Sequence, residues 1–130
     1  MSFWQICIFF LILTTALPGA AHHSMSAVFD FDQRFTRVGI VTRVDWTNPH
    51  IYIHVDAPDE DGSMQSWRFE GPSPVYFRRR AGLGKIDFEA AIGKSVTVDA
   101  SRARDGSFTG LIRMFLLPDG VSVPLCPDNC

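Results

Sequence analysis

Residues Phe35-Thr36-Arg37-Val38-Gly39-Ile40-Val41-Thr42-Arg43-Val44-Asp45-Trp46 alternate between apolar and polar positions, a pattern that only an extended chain can sort onto two faces. Val38, Ile40, Val44 and Trp46 fall on one side of the alternation, and Arg37, Arg43 and Asp45 on the other. Thr47-Asn48-Pro49 interrupts the strand, because Pro49 lacks a donor and keeps Asn48 extended. A second strand follows from His50 to Ala57, with Ile51, Ile53 and Val55 directed to a core. Beyond the polar turn Asp59–Ser63, Gln65 to Glu70 reads as a third strand with Trp67 and Phe69 facing together.

Ser73-Pro74 is a helix start, since serine caps and proline tolerates the first helical position, and it predicts a short helix from Val75 to Ala81 ended by Gly82. Ser95 to Ala100 is a fourth strand with Val96 and Val98 inward. Phe108 to Leu117 is a fifth, reached through the turn Arg104–Ser107, and Pro118-Asp119-Gly120 precedes an extension from Val121 to Leu125. Five strands with one short helix between the third and the fourth predict a mainly β fold, a small OB-fold-like barrel. An open antiparallel sheet or a small sandwich is the alternative, because strand order is not written in one sequence.

The chain has 130 residues. Met1 to Ala21 reads as a cleavable signal peptide: an apolar run from Phe3 to Leu13, too short to span a bilayer, then Pro18-Gly19 and the small residues Gly19-Ala20-Ala21 of a cleavage site. No Lys or Arg precedes Arg34, and the alternative is an uncleaved signal anchor. Cleavage leaves a single domain over residues 22–130, with 121–130 as a C-terminal extension, in the periplasm or outside the cell. Hydrophobic content of 46% with 20% charged residues is that of a globular protein, and a net charge of -2 gives no pull toward nucleic acid or an anionic membrane. Cys126 and Cys130 remain after cleavage, an even pair suited to a disulfide in an oxidising compartment; as soft metal ligands they would supply half a tetrahedral shell.

All four histidines lie at His22-His23 and from His50 to His54. His50 and His54 have the spacing of a helical metal pair, but Ile51, Ile53 and Val55 argue for a strand. Residues four apart on a strand share a face and stand ~13 Å from each other, too far for one ion. Cleavage after Ala21 gives His22 a free α-amine with a reference pKa of about 7.7–8.0, low enough for a metal to displace its proton. Amine and ring then chelate, and one imidazole from His50 completes a three-nitrogen brace suited to Cu(II). His23 offers a second route through the amine and backbone amides. The opposing reading is a solvated N-terminal segment with no ligand role.

No nucleophile elbow, zinc-protease motif, Cys-x-x-Cys or phosphate-binding glycine loop is present, so there is no enzyme signature. Arg78-Arg79-Arg80 forms a basic run on the expected helix, either a solvated face or a contact for an anionic partner. Trp46, Tyr52, Trp67, Phe69 and Tyr76 offer a stacking platform for sugars or bases, with core packing favoured for Trp67 and Phe69.

These residues resemble a family of small exported bacterial proteins of unknown function whose mature sequence opens His-His-Ser. The likeness runs through His22-His23-Ser24, Phe29-Asp30, Trp46-Thr47-Asn48-Pro49-His50, Trp67-Arg68-Phe69-Glu70, Ser73-Pro74, Arg79-Arg80, Gly93-Lys94-Ser95-Val96-Thr97-Val98, Arg104-Asp105-Gly106-Ser107 and Asp119-Gly120. It implies export and a small β-rich domain, without an activity. Ala81-Gly82-Leu83 departs from a Gly-Trp after the arginines, and the tail with Cys126 and Cys130 looks private to this chain. The sequence thus leads to two expectations. One is a periplasmic metal-binding protein, copper favoured, with His22, His23 and His50 as ligands. The other is a metal-free OB-type module that recognises a protein, peptide or glycan, with Tyr52, His54 and Arg78 to Arg80 as contacts. A copper redox enzyme built on the same terminus is a third.

Overall fold

A computed structural model describes residues 24–125. Nine elements follow one another: α1 (Met25–Val28), β1 (Phe29–Asp45), β2 (Ile51–Pro58), β3 (Met64–Gly71), α2 (Pro74–Arg80), α3 (Lys85–Glu89), β4 (Ser95–Ala103), β5 (Thr109–Leu116) and β6 (Ser122–Pro124). The fold is mainly β, with six strands in one sheet and three short helices among the described residues. Strand order is β3-β2-β1-β4-β5-β6, and every neighbour pair in that order is antiparallel. A further pairing, parallel, joins β3 to β5 at Arg68–Thr109, Phe69–Gly110 and Glu70–Leu111.

β1 serves two partners because it bends. Its first part pairs with β4 from Phe29 to Ile40, its last part with β2 from Ile40 to Asp45. Two irregularities allow this: residues 31–33 bulge out of register with β4, and Thr42 bulges out of register with β2. The Thr42 bulge corrects the expected facing of β1. Before it, the odd positions point inward, so Val41 and Arg37 are buried while Val38 and Ile40 are exposed. After it, the even positions Val44 and Trp46 pack on the core, as the alternation predicted.

The other strands keep their expected faces. Ile51, Ile53, Val55 and Ala57 are fully buried, as are Trp67, Phe69 and Val98. Trp67 stacks on Phe69 at 5.9 Å, lies 5.0 Å from Phe35 and meets the edge of Phe108. Trp67 and Phe69 are therefore core residues, not parts of a stacking platform. Each fully buried side chain of this size contributes roughly 1.5–3 kcal/mol by leaving water.

Between β3 and β4 the chain forms two helices, where the sequence predicted one. α2 starts as expected, with Ser73 Oγ accepting from the Tyr76 backbone N–H and Pro74 in the first turn. Its buried Phe77 and Phe88 of α3 meet edge to face at 4.9 Å, and Trp46 leans on both. α3 escaped the sequence reading because its N-terminal glycine offers no capping side chain; Asp87 substitutes, its carboxylate accepting from the Gly84 N–H at 2.7 Å. The stretch expected to be a plain extension contains β6, which adds to the edge of β5 and places Val123 and Leu125 in the core.

Candidate functional site

β2 and β3 form an antiparallel ladder whose register, fixed by the turn after Pro58, sets Tyr52 opposite Glu70, His54 opposite Arg68 and Asp56 opposite Ser66. On the far side of β2, β1 sets Asp45 opposite Tyr52 and Arg43 opposite His54. Paired residues share a face of a sheet, so these polar side chains assemble on the face turned away from Ile51, Ile53 and Val55.

His50 stands at the entry to β2, after the cis peptide between Asn48 and Pro49, with its carbonyl accepting from Thr47 Oγ1. Its ring Nδ1 donates to Glu70 Oε1 at 2.5 Å. Glu70 is nearly buried, its side chain 11% exposed against 35% for His50. No other hydrogen bond or ion pair of the His50 ring is found among the described residues, so the carboxylate orients the imidazole through Nδ1 and leaves Nε2 without a polar partner there. A carboxylate holding one nitrogen while the other stays free is the arrangement by which proteins orient metal-binding histidines.

His54 is differently engaged. Its Nε2 lies 2.9 Å from Asp45 Oδ2 and 2.8 Å from Arg43 Nη2, and Arg43 also reaches Asp45 at 3.0 Å. Burial pushes the Asp45 carboxyl upward, but the hydrogen bond from His54 and the charges of Arg43 and His54 outweigh it and hold the group below its ordinary 3.8. Tyr52, between the two histidines, has its ring covered by the Arg68 guanidinium at 4.7 Å. Its phenol is raised above 10.0 by burial first and the Glu70 charge second, with Arg68 opposing.

The two strand histidines thus keep separate partners, in line with their four-residue spacing on an extended chain. Among the described residues no group of three or more His, Cys, Asp or Glu side chains is arranged to hold a metal ion. His22, His23, Cys126 and Cys130, like the leader, lie outside the described residues. Arg78, Arg79 and Arg80 are exposed in the last turn of α2, where positive charge suits the helix dipole.

Glu70, Asp45 and Arg43 are members of this cluster that the sequence reading did not single out. Glu70 also connects it to the start of the described chain. Leu111, its partner in the parallel β3–β5 pairing, packs with Phe29 and Ala103, and Met25 rests on that group. The segment that follows His23 therefore lies against β5, the strand beside Glu70. No described helix is long and apolar enough to cross a membrane.

No curated protein and no solved structure matches the chain. Residues 11–113 match the model of a family of unknown function, DUF6152, and the chain belongs to that family.

Proposed function

We propose that the protein is exported to the periplasm, where its cleaved N-terminus binds a transition metal, copper favoured. The ligands in this reading are the α-amine and ring of His22, with His23, and the Nε2 of His50. The observation that carries it is the His50–Glu70 pair, 2.5 Å apart, which engages one ring nitrogen and leaves the other without a polar partner among the described residues. A neutral imidazole and a free amine favour Cu(II) among biological metals. The fold in this reading is an OB-type barrel: the parallel β3–β5 pairing, added to the antiparallel order β3-β2-β1-β4-β5, supports a closed ring of five strands.

The test is equimolar Cu(II) titration of the protein with its processed N-terminus verified by mass, followed by electron spin resonance. A bound signal rich in nitrogen coupling is expected, altered by His50→Ala, unchanged by His54→Ala and weakened by one extra residue before His22. Glu70→Gln should reduce affinity by roughly 10–100-fold, the usual effect of removing a carboxylate that orients a metal-bound histidine. No nitrogen-rich signal, or one indifferent to the extra residue, overturns the reading.

A further inference from the structure

The bulge at Thr42 decides which side chains meet His54. Val41 pairs with Val55, and a regular ladder would next set Thr42 opposite His54 and turn Arg43 and Asp45 toward the core side, opposite Ile53 and Ile51. The extra residue instead sets Arg43 opposite His54 and Asp45 opposite Tyr52 on the outer face, and Thr42 Oγ1 donates to the His54 carbonyl at 3.3 Å. Three atoms close a triangle there. Arg43 Nη2 is 2.8 Å from His54 Nε2, His54 Nε2 is 2.9 Å from Asp45 Oδ2, and Arg43 Nη2 is 3.0 Å from Asp45 Oδ2.

No single protonation state of the ring satisfies both of its partners. A guanidinium only donates and an ionised carboxylate only accepts, whereas one imidazole nitrogen does either but not both. With the ring neutral and its proton on Nδ1, Nε2 accepts from Arg43, which also donates to Asp45. With the ring protonated, Nε2 donates to Asp45 and turns an N–H toward the arginine N–H, two like charges in contact. One member must then leave. Arg43 is the one at liberty, because its side chain is 63% exposed, against 36% for Asp45 and 20% for His54. Asp45, held below its ordinary 3.8, stays a carboxylate across the range in which histidine gains its proton. The other charged groups of this face have partners of their own: Asp56 accepts from Ser66 Oγ, Glu70 holds His50, and Arg68, opposite His54 on β3, lies over the Tyr52 ring.

We propose that His54 is a proton switch for Arg43: the neutral imidazole shares Arg43 with Asp45, and the protonated one takes Asp45 for itself and releases the guanidinium to solvent. The face thereby gains one positive charge and an arginine without a carboxylate, displayed only in acid. The switch is independent of the metal-binding reading and uses none of its ligands.

The test follows the full chain, labelled with ¹⁵N and ¹³C and free of metal, by NMR from about pH 8 to about pH 5, the span in which histidine changes charge. At the upper end the His54 ring should carry its proton on Nδ1, read from its two-bond ¹H–¹⁵N couplings. As the ring becomes an imidazolium, the Arg43 Nε and Cζ signals should move with the same midpoint toward those of Arg34, an exposed arginine with no ion pair among the described residues. His54→Gln supplies an amide that accepts from Arg43 and donates to Asp45 at every pH, so the Arg43 signals should no longer titrate. In Arg43→Met the neutral ring should move its proton to Nε2 and donate to Asp45. Arg43 signals that stay fixed while His54 titrates in wild type would overturn the proposal. So would a neutral wild-type ring with its proton on Nε2, an Arg43 titration that survives His54→Gln, or a proton that stays on Nδ1 in Arg43→Met.

Discussion

Gly39 is where β1 leaves β4 for β2, and replacing it with alanine tests whether that crossing is as tight as its geometry. Gly39 pairs with Val96 on β4, and the next residue, Ile40, pairs on both sides, with Ser95 and Asp56. A Cβ at position 39 would lie 2.3 Å from the Asp56 carbonyl oxygen, 2.6 Å from the Ala57 Cβ and 2.8 Å from the Val55 Cγ1. Favourable contact between such atoms begins at about 3.5 Å. Neither the carbonyl nor the Ala57 Cβ can swing aside, so β2 itself must back away, although Val55 and Ala57 are fully buried. Overpacking of this kind costs about 1–3 kcal/mol, and two loosened ladder hydrogen bonds add about 1 kcal/mol each. Against this, alanine recovers up to about 1 kcal/mol of the backbone entropy that glycine loses in a strand. The net loss is about 2–4 kcal/mol, and at about 4–8 °C per kcal/mol for a domain of this size it lowers the melting temperature by roughly 10–30 °C. Circular dichroism melts of wild type and Gly39→Ala measure it. Gly106→Ala is the control: Gly106 has φ +77° with open space around its Cβ position, so it carries conformational strain without the collision. A Gly39→Ala midpoint within about 3 °C of wild type, or no lower than that of Gly106→Ala, would refute the reasoning.

Other perturbations follow from the same contacts. Arg37 is held between the rings of Phe35 and Trp67, at 4.9 and 4.7 Å, and pairs with Asp59 at 2.7 Å; its side chain is 10% exposed. Asp59→Ala leaves that cation nearly buried with the Thr36 carbonyl at 3.0 Å and, for a counter-charge, only the exposed Glu60 at 3.7 Å among the described residues, so it should cost about 3 kcal/mol in urea denaturation, more than Arg37→Met, which keeps the volume and removes the charge. The reverse order would contradict this account. Tyr52 should titrate above 10.0 in a Tyr76→Phe background, followed by phenolate absorbance. Glu70→Gln removes one of the two raising causes and should bring the midpoint down; an unmoved midpoint would show that the Glu70 charge is not felt at the phenol. Asp45 has a folded-state pKa below 3.8, so its ion pairs stabilise the protein above the ordinary carboxylate range and are lost as pH falls through that lower value. His54→Ala removes the strongest lowering cause, and ¹³C NMR should then find the Asp45 carboxyl titrating nearer 3.8; no change would break the proposed link.

Much of the sheet was legible because its strands carry a simple parity. From Ile51 to Ala57 every odd residue is apolar, and all four are buried. β1 resisted the same treatment because its sequence satisfies both parities: Phe35 and Val41 are apolar at odd positions, Val38 and Ile40 at even ones. A strand with two adjacent apolar residues, Ile40 and Val41, can bury only one of them unless it slips. It slips at Thr42, one residue later, and the exchange of faces leaves Ile40 43% exposed. The signal lay in that doublet and in Gly39 beside it, since a strand that changes partners needs a position without a side chain where the backbones cross.

The candidate site followed a different logic. Histidine clustering drew attention to His50 and His54, but their partners are contributed by neighbouring strands, and no spacing along β2 reveals them. Glu70 is twenty residues from His50 in the chain and becomes its neighbour only through the hairpin. Once a turn at Asp59–Ser63 is accepted, however, counting outward from it pairs Tyr52 with Glu70 and His54 with Arg68, and the diagonal neighbour of Glu70 is His50. Register arithmetic applied to the sequence's own turn would therefore have found the carboxylate. What it would not have found is the other neighbour of Glu70. The parallel pairing with Leu111 joins strands whose connection runs through two helices and β4, a contact set by closure of the sheet, not by any local pattern. That contact sets Glu70 beside the strand on which Met25 and Phe29 pack. If export removes Ala21 and all before it, the metal-binding reading depends on a ligand created by processing and a neighbour created by topology, so Leu111→Asp, which disturbs the Met25 and Phe29 packing without touching a histidine, should weaken copper binding, whereas the exposed Val38→Asp should not. Equal copper affinity in the two variants, each verified as folded by circular dichroism, would separate the terminus from this face of the sheet.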